Sequence, residues 1–195
     1  MAPKFRFNAL FRPGGDGSLN ACVGDNGGRY DLFDYAHGYF AATRKILEAA
    51  KVVEVGLAVD TLVYPACYNF RHSLELFIKY LVTSYARLLK DDSIQFETRH
   101  GLKGNWDKVQ AAAMRYRWAP FKVDEIGLVE ATIADFHEVD PNGVIFRYPD
   151  SIKGEQHLKD WALINLGVIE ERATRLFEMF EDWHYRIDER LHPES

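Results

Sequence analysis

Apolar and polar positions along the chain predict a short extended N-terminus followed by about five helices. Lys4 to Phe11 alternates polar and apolar residues, Pro13 to Gly17 reads as a turn, and Leu19 to Val23 has the make-up of a returning strand, so a small β-hairpin is expected. Phe33, Ala36, Phe40 and Leu47 then recur at helical spacing to about Ala50, and Val52 to Leu57 is β-branched and ambiguous. A second helix begins between Asp60, an N-cap type, and Pro65, and runs to about Lys90. A loop through Gly101 and Gly104 leads to a third helix from about Asn105 to Trp118, stopped by Pro120. A fourth covers about Val123 to Val139 and is ended by Asp140-Pro-Asn-Gly143. VIFRYPDS reads as extended. A last helix from about Glu155 to Arg190 carries Ala162, Leu166, Ile169, Ala173, Leu176, Phe180, Trp183 and Ile187 at alternating spacings of four and three. A helix of that length exceeds the width of such a domain, so it should bend, for which Gly167 is a candidate, or pair with a second copy.

The second helix carries the most specific signal. At about 100° per residue, Tyr68, Arg71, His72, Glu75 and Lys79 share one arc, while Phe70, Leu74, Phe77, Ile78 and Leu81 cover the rest. A helix apolar over most of its circumference is buried, so its polar stripe faces a cleft, a partner or an internal network.

Composition changes this picture in two ways. With 195 residues, 47% hydrophobic and 14% aromatic, the chain can bury a sizeable core in one domain with a small appendage. The net charge of −5 argues against indiscriminate nucleic-acid coating, yet residues 99–122 hold six basic side chains, Lys103, Lys108 and Arg115 among them, against one acid. Trp106 and other rings lie in the same stretch, so phosphate contacts and base stacking are one reading of it, and an ordinary helix with a basic solvated face is the other. No apolar run is long enough to cross a bilayer. The two cysteines, Cys22 and Cys67, and the absence of a secretory leader point to the cytoplasm.

Known chemical motifs are sparse. HExxH, paired CxxC, a glycine-rich phosphate loop and GxSxG are all missing, and no cofactor is expected. Glu-x-x-His occurs at Glu97 to His100 and at Glu181 to His184, which keeps a di-iron helical-bundle oxidase as a distant alternative, although the first pair falls in a loop. One Arg-x(5)-His spacing, Arg186 to His192, is no more than chance supplies among fourteen arginines and seven histidines.

The segments YPACYNFRHSLELFIKYLV, RHGL and FHEVDPNGVIFRYP, followed by a long final helix, resemble the RHxxEL-type members of the HEPN superfamily. The resemblance covers about Tyr64 to Leu191. It implies an all-α bundle over 29–195, with 1–28 as an extension, in which Arg71, His72, Glu75, His100 and Arg147 come together. It further implies a prokaryotic toxin or defence-type module that binds RNA, a nucleotide or a partner protein, often as a homodimer, here through the C-terminal helix. The alternative function is a metal-independent endoribonuclease, with His72 or His100 moving protons, Arg71 or Arg147 stabilising charge, and Glu75 supporting them. Arg147 reads either as a cation laid across the cleft or as a solvated loop residue.

Overall fold

A computed structural model describes residues 7–24, 26, 30–52, 57–98 and 100–193. The chain divides into two compact units, Met1–Tyr30 and Asp31–Ser195. In the first unit the expected hairpin is not found, and the described residues contain no strand. Asn8 instead folds its side chain back to accept hydrogen bonds from the amides of Leu10 and Phe11, and Asp16 caps a single 3-10 turn at Gly17–Leu19. Short polar side chains here satisfy the backbone locally, which removes the donors a strand pair would use. Residues 4–6 of the expected first strand lie outside the described residues.

The described residues of the second unit form five helices: α1 Leu32–Val52, α2 Leu57–Leu89, α3 Leu102–Tyr116, α4 Val123–Val139 and α5 Leu166–Leu191. Residues 53–56, the rest of the ambiguous β-branched stretch, are outside the described set. Helix α2 is the axis of the bundle and packs on α1, α3 and α5, while α4 rests on α3 and α5. Phe70, Leu74, Phe77, Ile78, Leu81, Val82 and Tyr85 are all essentially inaccessible to solvent. The Phe77 ring stacks on Phe180 of α5 at 3.9 Å between centroids.

Helix α2 starts at Leu57, ahead of the start expected between Asp60 and Pro65, and runs through Pro65. An internal proline removes one backbone hydrogen bond and costs about 3 kcal/mol. Ala66 and Cys67, buried immediately after it, hold this turn in the bundle. Gly104 likewise lies inside α3 rather than in a loop, and α3 stops at Tyr116 because Arg117 adopts the left-handed conformation (φ 59°). The limits of α4 are those expected. Its first turn is pinned by Glu125, which accepts from the Lys122 amide (2.9 Å) and from the Trp183 indole of α5 (2.9 Å). Burial pushes the Glu125 carboxyl up, but these bonds and the Lys122 ammonium outweigh it and hold the group below its usual range.

Two expectations about the C-terminal third are corrected. VIFRYPDS is not extended: Ile145 to Arg147 form a turn closed by the Arg147 amide on the Val144 carbonyl, and only Asp150 makes a bridge, to Gln156. Helix α5 begins at Leu166, where Asn165 caps the amides of Gly167 and Val168, so it spans 26 residues and about 39 Å. Ala162 lies before the helix and Gly167 in its first turn. Ala173, Leu176, Phe180, Trp183 and Ile187 are buried within the chain's own fold, so the seam is covered without a second copy. No helix among the described residues is long and apolar enough to cross a membrane.

Because Phe77 is buried in the α2–α5 contact and stacks on Phe180, Phe77→Ala should lower unfolding free energy by about 3–5 kcal/mol in urea denaturation. A loss below about 1 kcal/mol would mean that this contact does not hold the bundle together.

Candidate functional site

Two ladders run along adjacent lines of α2 because residues four apart in a helix stand one above the other. Arg71, Glu75 and Lys79 form the first. Glu75 bonds the Lys79 ammonium at 2.7 Å and Arg71 Nη1 at 3.3 Å, and all three side chains are buried. Tyr68 and His72 form the second, their rings parallel within 7° at 5.8 Å, with Tyr39 of α1 edge-on to His72 at 4.5 Å.

The Arg71 guanidinium gathers carbonyls from two separate loops. Nε donates to Asp140 O at 2.9 Å, and Nη2 donates to His100 O at 2.7 Å and to Pro141 O at 3.3 Å. The Asp140 carboxylate lies 3.7 Å from Nε and, through Oδ1, accepts from the amides of Val144 (2.8 Å) and Ile145 (3.0 Å). Gly143 completes the turn at φ +71°, and a Cβ there would meet Arg71 Nη1 at 2.6 Å. Only glycine combines that backbone conformation with so close an approach.

Buried charge in this network cancels: Arg71 and Lys79 against Glu75 and Asp140. Burial pushes the Glu75 carboxyl up, but the Lys79 ammonium, helped by His100, outweighs it and holds the group below its usual range. Lys79 also lies 5.4 Å from the centre of the Phe96 ring.

His100 is half exposed and has its Nδ1 within 3.2 Å of Glu75 Oε1. With Nδ1 as the donor to the carboxylate, Nε2 is the nitrogen left for a ligand. The loop before it is held by Asn105, whose side chain accepts from the Glu97 amide at 2.7 Å and donates to Gly101 O at 3.2 Å. Burial lowers the affinity of His72 for a proton and outweighs the opposing pull of Glu75. Arg147 is exposed, with its guanidinium carbon 5.7 Å from the Tyr68 ring and 5.3 Å from the Tyr148 ring. No carboxylate among the described residues pairs with it.

Tyr68, Arg71, His72, Glu75, His100, Gly143 and Arg147 thus line one cleft of about 260 Å³, open solvent included. The five residues that the sequence reading brings together are all present in it, and Lys79 supports it from below. The other proposed ligand contacts are elsewhere. Lys103 is paired with Asp107 at 2.7 Å, Lys108 with Gln95 O at 3.0 Å and Glu97 at 3.7 Å, and Arg115 with Asp91. The bonds to Asp91 from Ser93 and then Arg115 hold that carboxyl down at about 2. Trp106 is 1% exposed and packed between Phe121 and Trp183, so it is a core residue and offers no stacking face. Arg99 lies outside the described residues.

The remaining motifs are taken up locally. Arg186 pairs with Asp182 at 2.9 Å and His192 with Asp188 at 3.0 Å. His184 stacks on Phe33 at 3.6 Å and bonds the Tyr80 hydroxyl at 2.7 Å. No group of three or more His, Cys, Asp or Glu among the described residues is placed to hold a metal ion. Sequence reasoning missed Asp140 and Gly143 as parts of the site. The Asp-Pro-Asn-Gly string is legible as a turn, but nothing in it shows that the turn closes over Arg71.

Gly143→Ala should therefore cost at least about 2 kcal/mol, measured by urea unfolding, through left-handed strain and displacement of Arg71. Loss of less than about 0.5 kcal/mol would contradict the packing described. A second outcome concerns acid. His72 has a lowered proton affinity in the fold, so the stability it contributes is complete above its unfolded value near 6.5 and is lost as pH falls below it. Unfolding free energy measured between pH 8 and pH 5 should decline below about 6.5, and less steeply in His72→Gln. An unchanged slope in that variant would remove His72 from this account.

No protein-family model, curated protein or solved structure matches the chain.

Proposed function

We propose that the cleft binds the phosphate of a nucleotide unit, free or within an RNA strand, with Arg147 as its principal counter-charge. The observation that carries this reading is the contrast between cations. Arg71 and Lys79 are buried and neutralised, whereas Arg147 stands at the mouth of the cleft between two aromatic rings with no acid among the described residues against it. His100 adds Nε2 as a ligand-facing group, and its bond to Glu75 orients the ring. The likeness of the RHSLEL, RHGL and FHEVDPNGVIFRYP segments to RHxxEL-type HEPN proteins supports the same ligand class and a place in a defence-type module.

A second reading, metal-independent endoribonuclease, is favoured by one specific feature: two histidines of different character share the cleft. In that reaction neutral His72 takes the proton of a ribose 2′-hydroxyl as its oxygen attacks phosphorus. The bond from phosphorus to the 5′-oxygen breaks, and His100, its ring oriented by the bond to Glu75, donates a proton to the leaving oxygen. Arg147 stabilises the phosphorane-like charge, leaving a cyclic 2′,3′-phosphate. Four of the five N–H groups of Arg71 are bonded to three carbonyls and Glu75, so in either reading its main part is to position the loops.

The two readings separate in one experiment on a labelled single-stranded RNA in chelator. Binding without cleavage should weaken about tenfold in Arg147→Ala, and the salt slope should fall by about 0.7. Cleavage that persists in chelator and disappears in folded His72→Ala or His100→Ala would establish the nuclease. Absence of both binding and cleavage would reject an RNA strand as the ligand and leave a free nucleotide or a protein partner for the cleft.

A further inference from the structure

A second concavity opens on the other side of Arg147. It has a volume of about 890 Å³, open solvent included, and is lined by Tyr64 from α2 and by residues of the 145–150 and 156–158 segments. Arg147 lines both this groove and the histidine cleft, so a cation with no acidic partner among the described residues sits where the two meet.

The groove wall is a built element. The Ser151 amide donates to Glu155 O at 2.8 Å, the Gly154 amide to Ser151 O at 2.8 Å, and the His157 amide to Pro149 O at 2.8 Å. His157 Nδ1 lies 2.9 Å from Tyr148 O and donates to it, which fixes the backbone beneath the Tyr148 ring and leaves Nε2 as the second ring nitrogen. Tyr64 and Tyr148 are respectively 46% and 53% exposed.

The lining selects among occupants. A second phosphate is disfavoured because Asp150 is the only formally charged lining group besides Arg147. A plain aliphatic chain would desolvate Asp150, Gln156 and His157 without returning a hydrogen bond. A planar heterocycle matches both features: its face stacks on tyrosine, and its edge N–H and carbonyl groups meet Asp150 and Gln156.

We infer that this groove is a nucleobase subsite, which places the phosphate of the nucleotide on Arg147 and its base over Tyr64 and Tyr148. The inference rests on the phosphate reading of the cleft and assigns the moiety that a phosphate contact alone leaves undefined.

Calorimetric titration of the full chain with guanosine 5′-monophosphate and with ribose 5-phosphate tests it. Wild type should bind the nucleotide at least tenfold more tightly than the sugar phosphate. Tyr64→Ala should weaken nucleotide binding roughly five- to fiftyfold and leave the sugar phosphate unchanged. Tyr148→Ala removes a ring that also touches Arg147, so it should weaken both ligands. Equal affinity for the two ligands, with Tyr64→Ala neutral, would overturn the base subsite and leave the phosphate reading standing. Failure of wild type to bind either ligand would overturn both.

Discussion

The arrangement of the site depends on one buried guanidinium. Arg71 is buried, where an unsatisfied charge would be costly, so its N–H groups need acceptors, and the carbonyls that serve come from loops far apart in sequence. His100 is held twice by the same helix: its backbone oxygen accepts from Arg71, and its ring nitrogen meets Glu75 one turn further on. The Asp140–Gly143 turn is held from the opposite side, and Asp140 in turn caps the amides that begin the segment leading to Arg147. Removing one member of such a network leaves the others buried without partners, which is why the group behaves as a unit.

That constraint also decides which groups remain for a ligand. A charge balanced inside the bundle is electrostatically silent at the surface, so Arg71, Glu75, Lys79 and Asp140 supply geometry. The field at the cleft mouth comes from Arg147 and whatever proton His100 carries. The same distinction applies to the basic stretch of α3, where Lys103, Lys108 and Arg115 each have an acidic partner from residues 91–107. A positive count in sequence becomes a positive surface only when the acids that neutralise it are elsewhere.

Much of the site is legible in the sequence because it follows from helical phase. Residues 71, 75 and 79 fall on one line of a helix that is otherwise apolar, and this predicts a buried polar ladder without any structure. His72, one residue on, is turned by about 100° and so packs with Tyr68 and Tyr39 instead of joining the ladder. What local pattern does not show is the outcome of tertiary packing. Gly104 reads as part of a loop, yet it lies inside α3, and α2 begins at Leu57, ahead of the Asp60 to Pro65 window that the capping signals mark. Trp106 reads as a candidate stacking ring because its neighbours are basic, yet its own position on α3 faces Phe121 and Trp183. The apolar spacing puts the start of α5 too early because Ala162 continues it, while Asn165, the residue that caps the helix, lies just past it.

The RHxxE spacing therefore has a physical division built into it. Arginine and glutamate at i and i+4 make a pair that survives burial only if loops supply the remaining acceptors, so their presence implies that two loops converge on this turn of helix. The histidine between them cannot join that pair and is left facing the space those loops enclose. A motif of this form specifies a cleft first and a chemistry second. What the converging loops carry to the rim is the half-exposed ring of His100 and the guanidinium of Arg147, which has no acidic partner among the described residues, both positioned by a charge that is itself buried.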